Sequence, residues 1–126
     1  MHSSSKASTT IRLAVNGKAI MARLIDSETT RDFLSLLPLS LTMNDLCRRE
    51  KFANLPRTLS NEGKHKHTYA VGEIAYWPPG PDLAIFYRHD DESIPDPGII
   101  AIGKIRSGIE VLNVRGPVKV TVELIG

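Results

Sequence analysis

Apolar and polar side chains alternate over two segments near the start of the chain, and this alternation indicates β-strands. Apolar residues recur at every second position in residues 10–15 and again in residues 20–24, on either side of Asn16-Gly17. Such alternation is typical of strands with one buried face, and Asn-Gly favours a two-residue turn between antiparallel strands. The predicted hairpin has three facing pairs: Val15 with Lys18, Leu13 with Ile20, and Ile11 with Ala22.

Later segments also have the patterns of strands. Residues 73–77 and 83–87 are aromatic and β-branched runs that flank a Pro-Pro-Gly-Pro turn, and residues 118–124 alternate strictly. Residues 98–105 are apolar at both odd and even positions, which predicts a strand that is covered on both sides or passes between core layers. A brief strand is predicted over residues 39–43.

Short helices and one long loop complete the predicted elements. We predict a helix over residues 30–37, with Thr29 and Asp32 forming its cap and a proline ending it. Residues 107–112 predict a single helical turn. Residues 44–67 have no sustained period and many charges, so we predict that they are mostly loop.

These elements predict the fold class and the domain organisation. About six or seven short strands with one helix favour a mainly antiparallel β-barrel, since closing the sheet removes its exposed edges. An open sandwich is the alternative. A chain of 126 residues is the size of one domain. We predict a disordered tail over residues 1–8, because these residues could bury little, and a single domain over residues 9–126.

The overall charge and the absence of long apolar runs limit the partners. Sixteen basic and 14 acidic residues leave a net charge of +2, too balanced for the strong basic field typical of nucleic-acid binding. No segment has the roughly 18 consecutive apolar residues of a membrane span. The single cysteine, Cys47, cannot form an intramolecular disulfide. We therefore expect no nucleic-acid or membrane partner and a cytoplasmic location.

The sequence contains no common catalytic or nucleotide-binding signature, and its one candidate metal site is poor. His65 and His67 lie two residues apart and could share a face with Asp90 or Asp91 as further ligands. The neighbouring lysines oppose a divalent cation, so we predict no metal and no cofactor. Cys47 is predicted to be a small buried side chain rather than a nucleophile.

The remaining charge clusters are predicted to be solvent-exposed rather than functional. They are the basic cluster Arg48, Arg49 and Lys51 and the acidic run Asp90, Asp91 and Glu92.

A shallow aromatic pocket is the predicted ligand site. Arg57 lies between apolar residues that would anchor its backbone and so could present an oriented guanidinium to a carbonyl or carboxylate. Strand alternation puts Tyr76 and Trp77 on opposite faces, and likewise Phe86 and Tyr87, so half of these aromatic side chains are expected in the core. We assign the pocket to Arg57, Tyr76 and Phe86.

Four blocks together carry a resemblance to a known family. RDFLSLLPLSLT, NLPRTLS, GEIAYWPPGPDLAIFYR and IGKIRSGIEVL, in that order, resemble the cyclophilin-like domain of small prokaryotic proteins. The resemblance implies a closed eight-stranded barrel with one or two short capping helices. Cyclophilins are peptidyl-prolyl isomerases, but their Phe-His-Arg block and Gln-Gly-Gly segment have no counterpart here. Arg57 is therefore proposed on its chemistry and not on the resemblance.

The predicted function is the binding of a peptide or small ligand by a cyclophilin-like domain. Two alternatives stay open: a weak peptidyl-prolyl cis-trans isomerase, which requires no acid-base pair, and a structural or protein-interaction domain. Whether the protein is an enzyme is not decided by these residues.

Overall fold

The computed structural model describes residues 8–125, so the tail predicted over residues 1–8 lies almost wholly outside the described residues. In chain order the elements are β1 (Thr9–Val15), β2 (Lys18–Leu24), α1 (Glu28–Leu34), β3 (Leu39–Leu46), β4 (Glu50–Asn54), β5 (Glu73–Trp77), β6 (Asp82–Phe86), β7 (Ile100–Ile105), a 3-10 helix (Ile109–Leu112) and β8 (Val118–Leu124).

The eight strands close into an antiparallel barrel in the order β1-β2-β7-β5-β6-β4-β3-β8, which confirms the predicted mainly β, closed-barrel fold class. The inward side chains of alternate positions fill the barrel with a single apolar cluster, including Ile11, Leu13 and Val122. Phe33 of α1 and Leu112 of the 3-10 helix are fully buried in the same cluster, so both helices pack against the barrel core. No helix in the described part of the chain is long and apolar enough to cross a bilayer.

The predicted hairpin and its register are confirmed. Val15 pairs with Lys18 across the Asn16-Gly17 turn, and the pairing continues through Leu13 with Ile20 and Ile11 with Ala22. Asn16 and Gly17 have φ angles of 47° and 88°, the left-handed region that Asn and Gly tolerate best.

The first helix begins earlier than predicted and has a different cap. It spans Glu28–Leu34 rather than residues 30–37, and the Ser27 Oγ accepts a hydrogen bond from the Thr30 backbone N–H at 3.1 Å. Thr29 donates instead to the Ser60 carbonyl at 2.6 Å, and Asp32 accepts from the Ser60 backbone N–H at 2.7 Å. Thr29 and Asp32 therefore attach a distant loop to the helix.

The prediction of loop over residues 44–67 is wrong for its first half. β3 extends to Leu46, and β4 occupies Glu50–Asn54 between β3 and β6. The alternation in β4 is hidden because the inward position 51 holds a lysine while the outward position 52 holds a phenylalanine. A charged residue inside the barrel inverts the pattern on which sequence-based prediction depends.

The prediction that residues 98–105 are covered on both sides is confirmed at their start, because Ile99 packs outside the barrel and Ile100 packs in the barrel core; further along β7 a register shift adds a second cause. Ile74 of β5 pairs with Gly103, whereas Ala75 pairs with Ala101, so the register shifts at this point. An extra residue at such an irregularity changes which side chains face inward. Ile102 and Ile105 both reach the barrel core although they lie three residues apart.

A second apolar cluster lies on the outer face of β5 and β6. The loops that precede β5 and follow β6 fold over this face and are joined by hydrogen bonds, such as that from the Ile94 N–H to the His67 carbonyl at 2.8 Å. The cluster comprises Tyr69, Ala75, Ala84, Phe86, Ile94 and Ile99, with the half-buried Phe52 and Trp77 packed at its border. We call it the outer cluster.

Candidate functional site

An open cleft lies where the outer cluster reaches solvent. Strand pairing sets the small Ala84 of β6 opposite Phe52 of β4, and Asp82 opposite Trp77 of β5. The alanine leaves room between the two half-exposed aromatic side chains, and the resulting cleft has a volume of about 180 Å³. Its lining residues are Leu46, Arg49, Glu50, Phe52, Trp77, Asp82, Ala84 and Pro95. We call it the outer cleft.

A buried ion pair closes one end of the outer cleft. Arg49 and Glu50 are 8% and 7% exposed, and the Arg49 guanidinium donates from Nε at 3.0 Å and from Nη2 at 2.5 Å to Glu50 Oε1. Within residues 8–125, no donor contacts Glu50 Oε2. This second oxygen is not among the fully buried side-chain atoms of the described residues, and Glu50 lines the cleft.

Arg49 is held from its other side by the outer cluster. Its guanidinium carbon lies 5.3 Å from the ring centre of Tyr69 and 5.7 Å from that of Phe86, and Nη1 lies 3.6 Å from Asp90 Oδ2. Tyr69 stacks on Phe86 and donates its hydroxyl proton to Asp90 Oδ1. Arg49 therefore has a fixed orientation, because its guanidinium faces two aromatic rings and donates twice to one oxygen of Glu50.

Burial and charge act in opposite directions on Glu50. Burial raises its pKa, and the neighbouring Arg49 lowers it, with burial the larger effect; the pKa of Glu50 is therefore raised from its ordinary value of 4.5. Asp90 is more open and accepts hydrogen bonds from Tyr69 and from the Glu92 backbone, which lower its pKa.

The structure does not bring the three predicted pocket residues to one cavity. Tyr76 is 1% exposed inside the barrel, where its hydroxyl accepts a hydrogen bond from the Leu59 N–H at 2.9 Å. Phe86 lies in the outer cluster, on the opposite face of the sheet. Arg57 is exposed and donates to the Ser35 hydroxyl and to the Thr58 carbonyl. These three residues therefore do not form one pocket, because strand alternation puts the rings of Tyr76 and Phe86 on opposite faces of the sheet.

Parts of the reasoning about these residues are confirmed. Leu55 and Leu59 are buried in the barrel core, as predicted for the apolar residues on either side of Arg57. The aromatic side chains divide by face as expected: Tyr76 and Tyr87 lie inside the barrel, and Trp77 packs with the outer cluster.

Several side chains predicted to be structural or exposed have different positions. Arg49 and Lys51 are buried rather than solvent-exposed, because strand β4 carries the segment into the barrel wall. Cys47, predicted to be buried, is exposed in a turn with a φ angle of 57°. Asp90 is half-buried by its contacts with Tyr69 and Arg49, while Asp91 stays exposed as predicted.

The candidate metal ligands do not converge. His65 lies against the carbonyls of Pro97 and Asn61, at 3.0 and 3.2 Å, and His67 Nε2 lies 2.8 Å from Asp96. Across the described residues, no three histidine, cysteine or carboxylate side chains are grouped to hold a metal ion.

A larger depression of about 590 Å³ lies between the start of α1, the 62–66 loop and β7. Its floor includes Ile25, Ile100 and Ala101, and charged side chains of both signs stand around it. It contains no aromatic side chain, and Lys66 on its border is already paired with Glu73 at 2.6 Å. The outer cleft therefore offers the more specific combination of apolar walls and fixed polar groups.

Comparison with known proteins places the chain in a family. The family model described as the Cyclophilin-like family matches residues 13–123. The chain belongs to the Cyclophilin-like family. No curated protein sequence gives a significant match.

Two solved structures show how widely this Cyclophilin-like fold is shared. The solution structure of a hypothetical protein from Archaeoglobus fulgidus is 25% identical, with a TM-score of 0.75, over 94% of this chain and 95% of that one. A cyclophilin type peptidyl-prolyl cis-trans isomerase from Cryptosporidium parvum is 13% identical, with a TM-score of 0.63, over 95% and 99% of the two chains. The second likeness is one of fold alone.

The residues of the outer cleft were missed by sequence reasoning for an identifiable reason. Arg49, Glu50 and Phe52 were assigned to a loop, so their alternation could not be used. The one available signal was the run KFAN, which alternates if Lys51 is allowed an inward position.

Proposed function

We propose that this Cyclophilin-like domain binds an apolar side chain of a peptide or small ligand in the outer cleft. The observation that carries the proposal is the pair of half-exposed aromatic side chains, Phe52 and Trp77, on either side of the small Ala84. A concave apolar site with a few fixed polar groups is the usual composition of a ligand site.

The closed barrel limits how a peptide could bind. At the cleft, Phe52 of β4 pairs with both Asn44 and Ala84, and Ala84 of β6 also pairs with Ala75, so these two strands have no free edge there to accept an added strand. Recognition must then come mainly from side chains. Filling the cleft with one leucine-sized group contributes about 1.5 to 3 kcal/mol, which corresponds to weak binding unless further contacts add to it.

The single tryptophan of the chain, Trp77, is a reporter placed in the wall of the cleft. Titration with capped peptides that carry leucine, proline or norleucine should change the Trp77 fluorescence and shift its indole N–H resonance. Phe52→Ala should weaken this response by about tenfold, because one wall of the cleft is lost.

Met21→Ala is the matched control, because Met21 is an exposed apolar residue of β2 that is not among the lining residues of the cleft. It should leave the titration unchanged. If no peptide in a varied panel moved the Trp77 signals, the domain would not bind ligands here, and the interaction-domain alternative would gain support.

A weak prolyl isomerase is the second candidate, favoured by the presence of an arginine beside the apolar cleft. An isomerase needs a seat for the proline ring and a donor for the twisted peptide carbonyl. Arg49 lies at the cleft but already donates to Glu50 through Nε and Nη2. The ion pair uses the Nε proton and one of the two Nη2 protons, and Nη1 faces Asp90, so few guanidinium donors remain for a twisted peptide carbonyl, which favours binding over catalysis.

Exchange spectroscopy on a panel of X-Pro peptides separates the two candidates. Cis-trans exchange cross-peaks that Arg49→Lys abolishes would establish catalysis. Line broadening without exchange cross-peaks would support binding alone.

A further inference from the structure

The two ends of the outer cleft carry negative charge. Glu50 faces Phe86 across the β4–β6 pair and Asp82 faces Asn54, four residues further along, so the two carboxylates lie about 13 Å apart along the strands. Between them lie the aromatic walls. A side chain in the cleft therefore has an apolar environment along its length and a carboxylate within reach at either end.

The single cation of the lining does not neutralise these groups. Arg49 is paired with Glu50 and lies near Asp90, which stands behind it. Asp82 accepts only a hydrogen bond from the Asn54 amide, at 3.3 Å, among the described residues. One positive and three negative charges leave the cleft and its immediate support with a net charge of −2.

The aromatic side chains of the cleft and one unpaired oxygen of Glu50 also favour a cation. Trp77 and Phe52 present aromatic side chains at the open side, and aromatic faces attract ammonium and guanidinium groups. Glu50 Oε2 has no protein donor within residues 8–125, although its side chain is mostly buried. A ligand donor at this position would satisfy a polar atom that the protein itself leaves open.

We infer that the outer cleft selects a lysine or arginine side chain of a peptide, with the apolar stem between Phe52 and Trp77 and the cation at a carboxylate. The inference rests on the proposed function and adds the chemical class of the ligand. Long basic side chains bury their stems on apolar surfaces and keep their charged ends at polar groups.

The test compares unbranched side chains that differ in charge, with norleucine as the uncharged counterpart of lysine. Capped Gly-Gly-X-Gly-Gly peptides with X as lysine, arginine, norleucine or glutamate are titrated into the ¹⁵N-labelled protein, and dissociation constants are taken from the Phe52, Ala84 and Trp77 resonances. Lysine should bind about fivefold or more tightly than norleucine, and the preference should shrink as ionic strength rises.

Asp82→Asn is the primary variant, because it removes a charge without disturbing the buried Arg49–Glu50 pair. It should reduce the ratio of lysine to norleucine affinity, whereas Glu110→Gln, an exposed site outside the cleft, should leave it unchanged. If Asp82→Asn has no effect, Glu50→Gln must reduce the ratio. Retention of the ratio in both variants would overturn the inference.

The outcomes separate this inference from the proposed function. Equal binding of norleucine and lysine at the same resonances overturns the charge preference and leaves the apolar binding site intact. Absence of any shift with all four peptides overturns both.

Discussion

Lys51 offers the sharpest test of how the barrel accommodates a charged residue in its interior. Its side chain is completely buried, and the ammonium donates to the carbonyls of Val114 and Gly116, at 2.7 and 2.6 Å. It also lies 3.1 Å from Asp45 Oδ1 and 5.4 Å from the ring centre of Tyr87. All three donors of the ammonium have acceptors, and the side chain ties the 114–116 segment to the barrel wall.

The predicted effect of Lys51→Met follows from these contacts. Methionine keeps the apolar stem but leaves the two carbonyls without this donor and removes the cation beside Asp45, which keeps its hydrogen bonds from Tyr87 and the Arg48 backbone. Each buried unsatisfied group costs about 1 to 3 kcal/mol, and removal of one member of a buried ion pair typically costs about 3 to 5 kcal/mol. Val114 is partly exposed, so water can reach part of this loop. We expect the free energy of unfolding to fall by about 3 kcal/mol.

Urea denaturation measured by far-UV circular dichroism provides the assay, with Lys18→Met in the exposed hairpin as control. The control should change stability by less than about 0.5 kcal/mol. The double variant Lys51→Met with Asp45→Asn should lose less than the sum of the single variants, because the two groups interact directly.

The pH dependence of the variant supplies an independent check. Burial raises the pKa of Asp45, but hydrogen bonds from Tyr87, Lys51 and the Arg48 backbone outweigh it, so this pKa is lowered. A lowered pKa stabilises the fold above the unfolded value of about 3.9, and this stability is lost as the pH falls through the folded pKa. Without Lys51 the pKa of Asp45 in the folded protein should be higher, so stability should begin to fall at a higher pH on acidification. This account of Lys51 would be refuted if Lys51→Met lowered the free energy of unfolding by less than about 1 kcal/mol and left the decrease in stability at acidic pH unchanged.

Two further substitutions test the strand register and the role of Arg57. Gly103→Ala should lower the free energy of unfolding by about 1 to 3 kcal/mol in urea titrations, since a Cβ there would stand 2.3 Å from Leu24 Cδ2 and 2.5 Å from the Arg23 carbonyl oxygen. The control Gly63→Ala should cost less, because its nearest contact would be 3.2 Å. Equal losses of stability in the two variants would contradict the crowding argument. Arg57→Ala removes exposed hydrogen bonds to Ser35 and Thr58, so it should lower the free energy of unfolding by less than about 1 kcal/mol. It should also leave the peptide titrations at Trp77 unchanged. Weakened peptide binding in this variant would show that Arg57 contributes to the binding site.

Local features of the chain were predictable because their physical causes lie within a few residues. The Asn16-Gly17 dipeptide sets both the turn and the register of the first hairpin, and the strict alternation of residues 118–124 identifies a half-buried strand. The short connections and the absence of a long helical period left a barrel or a sandwich as the open choices. The resemblance of four separated blocks favoured the barrel, and the family match over residues 13–123 agrees with it.

The site was not predictable in the same way, because it depends on which faces the strands present after closure. The β7 register shift changes the parity of its core residues, and the pairing of Ala84 with Phe52 opens the outer cleft. Neither feature has a signal within its own segment.

The sequence by itself thus determined the fold class, the first hairpin and the division of aromatic side chains between two faces, since these depend on local alternation and turn chemistry. Only the tertiary structure decided that Lys51 lies inside the barrel, that Arg49 and Glu50 form a buried pair, and that Phe52 and Trp77 border one cleft. Those contacts join residues far apart in the chain. Their energies depend on burial and geometry that arise only when the barrel closes.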